Sequence, residues 1–290
     1  MGREALSIDA QIKRLSEKGL DLSCYDNSKL KEILYDIGYY RLGFYSYYFM
    51  DDDKENFVDK VKISDIVDTY YMDIDLKYIL MKYINRIEIN FRTKVIYFPS
   101  IVYKNDPFWY VNKNYVRDEF VDDFSLRYND KFKTDNLTIS KHHMKYPLDA
   151  FAPAWKTLEY LSFGSIITLF DSIREEKIKD RILELYGIKD LKKFVRFIHT
   201  VRQIRNICAH SGVLFDFSLP QSVNSHPKIN FNIGDRNSLD AAVKVIGFFM
   251  ETISDNRHAE FKSDIYTFFE KHKVKPFLLQ IIRNNIKYMD

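Results

Sequence analysis

From Ile63 to Phe98 the chain reads "ISDIVDTYYMDIDLKYILMKYINRIEINFRTKVIYF", with no glycine or proline and with apolar side chains returning every three or four residues. That spacing gathers them into one stripe along a helix, and a stripe this long has to be covered by other helices. The run reads as two helices in succession. Similar periodicity with polar caps marks 7–18, 28–37, 39–50, 115–129, 153–172, 174–186, 190–210, 238–254, 258–272 and 276–288. Pro153 stands where a first-turn proline belongs, Gly187 and Gly212 where helices end, and Asn237-Ser238 where one begins. Only 9 Gly and 7 Pro occur and charged residues reach 29%, which suits long helices with solvated faces better than a turn-rich sandwich or barrel. The expected fold class is all-α.

Two stretches break the pattern: 130–150, "DKFKTDNLTISKHHMKYPLDA", and 213–236, where Pro, Asn and Ser interrupt it and short β segments are conceivable. Both are expected to be loops or contact sites. The domain reading is an N-terminal helical subdomain over 1–50, a core over 51–217 and a C-terminal helical extension over 218–290 packed on that core.

Charge and cysteine content narrow the chemistry. A net charge of +3 means that a polyanion has to be met by a local basic patch and not by the whole molecule. The 2 cysteines, Cys24 and Cys208, lack CxxC spacing, so neither a disulfide framework nor a cysteine-rich zinc site is supported, and a reducing cytoplasm fits best. The start "MGREALSIDAQIKRL" has no apolar leader region, and "YYRLGFYSYYFM" is too short and too rich in tyrosine to span a bilayer, so no membrane association is expected. GxxxxGK[ST], GxSxG and HExxH are all absent. "DDDKE" (51–55) reads as a solvated turn, and His142-His143 as a surface or RNA-contacting segment and not a metal site. No metal and no cofactor are expected.

The 190–210 helix carries the informative residues. At 100° per residue, Phe194, Phe197, Ile198, Val201, Ile204 and Cys208 share a core face. Lys192, Arg196, His199, Gln203, Asn206 and His210 recur on the other side as a polar stripe able to follow a phosphate backbone, although a solvated face has the same pattern. Arg205 projects among the apolar positions, where a charge needs a partner. That partner is either a carboxylate of this chain, such as Glu88 or Glu159, or a phosphate brought by a ligand. In a regular helix Arg205 and His210 would point roughly 140° apart. Shared chemistry therefore needs the helix to loosen before His210 or a second protomer to complete the site. If the helix ends near Ser211-Gly212, His210 sits at its C-terminus, where the macrodipole favours a cation, as a candidate acid/base.

"RNICAH" followed by "SGVLFD" resembles the R-x4-6-H signature, with Asn after the Arg, of HEPN ribonucleases, and within them the Abi family of abortive-infection proteins (AbiD/AbiF-like). "IGYYRLGFYSYYF" (37–49), "IEINFRTKV" (87–95), "DPFWYV" (106–111) and "PAWKTLEYLSFGSI" (153–166) precede it in the order expected of that family. The resemblance implies a HEPN-like helical bundle with additional N- and C-terminal helices. It also implies a metal-independent endoribonuclease leaving 2′,3′-cyclic phosphate and 5′-OH ends, with Arg205 binding phosphate and the transition state, Asn206 orienting and His210 as acid/base. Glu88 and Arg92, with Glu159, fall to structural support. Because each chain supplies one matching histidine, a homodimer with facing 205–210 segments is expected. A small noncoding RNA is a conceivable controlling partner. Lys192, Arg196, His199, Arg202, Gln203, Lys141, His142 and His143 are the RNA-contact candidates. The competing expectation is a binding module of the same fold that sequesters RNA, with Arg205 a buried ion-pair partner.

Overall fold

The computed structural model describes residues 5–210, 212–232 and 234–288. Among them the regular structure is helical and no extended strand forms, so the fold is all-α as expected.

The N-terminal helices are α1 (Ile8–Glu17), α2 (Asn27–Asp36) and α3 (Tyr39–Ser46). They lead into α4 (Ile63–Val102), an unbroken helix of 40 residues where the sequence reading expected two. Its length is about 60 Å at 1.5 Å per residue. Nothing interrupts it because no helix breaker occurs before Pro99, and because buried positions continue from Ile63 through Ile66, Leu76, Leu80, Ile84, Ile87 and Phe91 to Val95. At its start the Asp65 carboxylate accepts the Lys62 N–H at 2.9 Å, satisfying a donor that the first turn leaves open.

Next come α5 (Asp118–Arg127), α6 (Asp130–Asp135) and α7 (Leu137–Lys145), the last two in the stretch expected to be loop. Asn136, inside that stretch, acts at a helix end by donating its amide to the Phe132 carbonyl at 2.7 Å, and Asn129 just before it accepts the Phe132 N–H at 3.0 Å and so caps α6. The segment expected as one helix over 153–172 is broken into α8 (Ala154–Thr157), a 3₁₀ turn at Leu158–Tyr160 and α9 (Phe163–Ser172), the last capped by Ser162. Then follow α10 (Glu176–Glu184), α11 (Leu191–Ala209), α12 (Leu239–Ile253), α13 (Asp255–Lys273) and α14 (Pro276–Ile281). Among the described residues between α11 and α12 the chain is irregular, with only an isolated His226–Ile229 bridge in place of β segments. It is still anchored, with Leu214, Phe215 and Val223 buried and Val223 N–H bonded to the Arg236 carbonyl at 2.9 Å.

α4 is the axis, and α3, α8, α9, α10, α11, α12 and α13 pack around it. Phe91 of α4 meets Phe163 and Phe170 of α9 and Phe194 of α11, and Phe194 also touches Tyr186 and Phe249. Each fully buried phenylalanine contributes about 1.5–3 kcal/mol of apolar transfer energy, and these rings fix where α11 lies against α4. Buried apolar residues from Leu15 to Ile286 form one cluster, shared by all three spans distinguished in the sequence. No helix is long and apolar enough to cross a membrane among the described residues.

Candidate active site at the end of α11

The core face read from α11 is the one the structure buries: Phe194, Phe197, Ile198, Val201 and Ile204 are fully covered. Cys208 is half-buried, and burial pushes its thiol up to about 12, so it remains protonated and a poor nucleophile at neutral pH. Arg205 keeps a side chain that is 33% exposed and points to α4, where its Nε lies 3.8 Å from Glu88 Oε2. Of the two carboxylates conceived as partners, Glu88 is the one beside Arg205, while Glu159 lies 3.9 Å from Arg92. The contact is loose. Arg205 Nε is buried with no hydrogen bond, whereas Glu88 Oε1 is taken at 2.8 Å by Arg92 Nη2. Arg92 also donates to the carbonyls of Glu159 (3.1 Å) and Leu161 (2.9 Å), which ties α4 to the turn before α9. Glu88 is therefore committed to Arg92, and Arg205 has hydrogen-bonding capacity to spare at a semi-exposed position.

α11 ends at Ala209. His210 is the C-cap with extended backbone, and its N–H bonds to the carbonyls of Asn206 (3.1 Å) and Ile207 (3.3 Å). The imidazole is exposed and the Asn206 amide half-exposed, and neither makes a side-chain hydrogen bond among the described residues. The helical phase between Arg205 and His210 is thus broken at His210 itself.

The chain beyond His210 is pinned by residues that sequence reasoning missed. Lys77 Nζ donates to the Gly212 carbonyl at 2.7 Å and pairs with Asp73 at 2.5 Å. Asp73 is fully buried and accepts the Leu214 N–H at 2.9 Å and the Tyr45 hydroxyl at 2.7 Å. Beside it the Tyr48 hydroxyl donates to Asp216. At Gly212 an added Cβ would stand 3.1 Å from Ile207 Cγ2, so the turn lies close against the last turn of α11. The signals were an acid and a base four residues apart on the core side of α4, and the tyrosines of the 37–49 segment.

The RNA-contact candidates divide. Lys192, Arg196, His199 and Gln203 line a cleft of about 280 Å³ closed on its other side by Leu219, Pro220 and Gln221. Arg202 lies on Gly164 at the start of α9, its Nε 2.9 Å from where a Cβ would stand. Lys141 is exposed on α7. His142, expected in a surface or RNA-contacting segment, lies on α7 at 4% exposure and bonds to Asp149 at 3.0 Å. His143 is half-buried against the Tyr128 hydroxyl at 2.8 Å, and burial lowers its pKa.

No curated protein and no solved structure matches the chain. A family model described as Abi-like protein matches residues 32–216, a span that begins within α2, takes in Tyr45, α4 and the whole of α11, and stops at Asp216 just beyond the pinned turn. The chain belongs to the Abi-like protein family.

Proposed function

We propose that this chain is an abortive-infection effector that cleaves RNA as a metal-independent endoribonuclease of the HEPN type. The observation that supports it best is the end of α11, where an under-bonded guanidinium, a free amide and an exposed imidazole follow one another within six residues, Arg205 to His210. In the proposed reaction an imidazole takes the proton of a ribose 2′-OH and the 2′-oxygen attacks the adjacent phosphorus. The bond from phosphorus to the 5′-oxygen breaks, and that oxygen receives a proton from a second, protonated imidazole. Arg205 neutralises charge building on the phosphoryl oxygens, and Asn206 orients the phosphate. The products are a 2′,3′-cyclic phosphate and a 5′-OH, and the route needs no cofactor.

The proposed step uses two imidazoles and each chain supplies one His210, so the active species is a homodimer whose Arg205–His210 segments face each other, working in the cytoplasm. Binding of a small noncoding RNA over the exposed stripe would restrain it.

The approach of Arg205 Nε to Glu88 at 3.8 Å supports a second reading, a non-catalytic RNA-binding module in which Arg205 is an ion-pair partner. Induced expression of wild type and His210→Ala in one bacterial host separates the two. Under the nuclease reading, wild type alone arrests growth and creates new 5′-OH RNA ends. Equal arrest by both proteins without new ends supports sequestration.

A further inference from the structure

The cleft beside the polar stripe is a built feature of the fold. One wall is α11; the other, Leu219 to Gln221, is fixed at both ends, by Leu219 N–H on the Asn237 carbonyl at 2.8 Å and Val223 N–H on the Arg236 carbonyl at 2.9 Å. Arg196 reaches across to the Ser222 carbonyl at 3.4 Å. The lining contains Lys192 and Arg196 and no carboxylate, so it favours an anion. It also contains an unmet need, because Gln203 Oε1 is buried and no N–H or O–H reaches it. Burial and the nearby Arg202 charge hold the His199 imidazole below its usual pKa, so this wall presents a neutral ring able to donate or accept. A site that offers cations at one place and a buried amide acceptor at another suits a ligand with phosphate at one end and N–H groups at the other. About 280 Å³ is small for most organic ligands and suits one base with its sugar.

We infer that the cleft between α11 and the Leu219–Gln221 segment holds one nucleotide of a single-stranded RNA, its phosphate on Lys192 and Arg196 and its base N–H edge on Gln203. Gln203 and His210 are seven positions apart, about 10 Å along the helix, so the strand passes from the cleft to His210 within neighbouring nucleotides. This rests on the nuclease reading for its strand and not for its chemistry, since a free nucleotide carries the same groups.

The test uses the full chain carrying His210→Ala, so that RNA stays intact, with a short end-labelled single-stranded RNA followed by fluorescence anisotropy and nucleoside 5′-monophosphates as competitors. Folding of each variant is checked by circular dichroism. Arg196→Ala and Gln203→Leu are each expected to weaken RNA binding about five- to tenfold. Gln203→Leu is decisive because it changes no charge and would leave a merely electrostatic surface unaffected. RNA affinity unchanged by Gln203→Leu overturns the cleft and leaves the nuclease reading standing. Monophosphates that bind wild type and lose affinity in Gln203→Leu, with no RNA binding by any form, support the cleft as a nucleotide site and sink the nuclease reading.

Discussion

Replacing Asp73 by alanine strands the Lys77 ammonium in the core and leaves the Tyr45 hydroxyl and the Leu214 N–H without their acceptor. The side chains of Asp73 and Lys77 are 0% and 6% exposed, so water does not replace the lost carboxylate. Breaking a buried pair on one side costs about 3–5 kcal/mol, most of it from the charge left behind. Removing both charges with Asp73→Ala plus Lys77→Met should therefore be milder than the sum of the single changes, with a coupling of about 1–3 kcal/mol. Urea unfolding followed by circular dichroism, run on wild type, both single variants and the double variant, gives that cycle directly. Since Lys77 holds the Gly212 carbonyl, the proposed nuclease reading expects Lys77→Met also to slow RNA cleavage at temperatures far below its unfolding transition. A cost below about 1 kcal/mol for Asp73→Ala, or strict additivity of the two changes, would refute the view that this cluster fixes the chain after His210.

Lys94 is half-buried, its ammonium over the Tyr186 ring at 3.7 Å, and desolvation lowers its pKa to about 8, so the unfolded chain binds more protons between pH 8 and its ordinary 10.5. Stability should rise from pH 8 to about 9.5, before tyrosines titrate, and thermal melts of Lys94→Met should lack that rise. His199 and His226 also titrate below their ordinary value because of burial, so their stability contribution is present above pH 6.5 and is lost as pH falls through their lowered values; melts from pH 7 to 5 should show falling transition temperatures. Gly164→Ala forces only the flexible Arg202 side chain to move and should cost less than about 1 kcal/mol by denaturant unfolding; a cost above about 2 would mean that Arg202 is held more rigidly than its half-exposed position implies. Sedimentation at micromolar concentration should find a dimer, and a monomer there would count against the paired-histidine site.

What local pattern can encode was legible in the sequence. The apolar phase of α11 gave its core face, and the same phase made Arg205 anomalous and called for a partner, with Glu88, Glu159 and a ligand phosphate all left open until the structure placed Glu88 beside it. Helix ends were harder, because Asn129 caps a helix with the same side chain that favours a turn. The 63–98 run looked divisible because helices of 40 residues are rare, yet seven neighbouring helices cover its stripe and sustain it. The Tyr45–Asp73–Lys77 cluster was out of reach, since Asp73 and Leu214 are 141 positions apart and meet only when α3, α4 and the end of α11 pack together. The cleft was missed for the same reason, as half of its wall comes from the irregular chain after α11.

The most direct test of the nuclease account is incubation of purified wild type, Arg205→Ala and His210→Ala with end-labelled RNA in excess chelator, followed by analysis of product ends. The account predicts that wild type leaves 2′,3′-cyclic phosphate and 5′-OH ends and that each variant is slower by about 10²–10⁴-fold. Cleavage by His210→Ala at the wild-type rate, or products bearing 5′-phosphate, would contradict it.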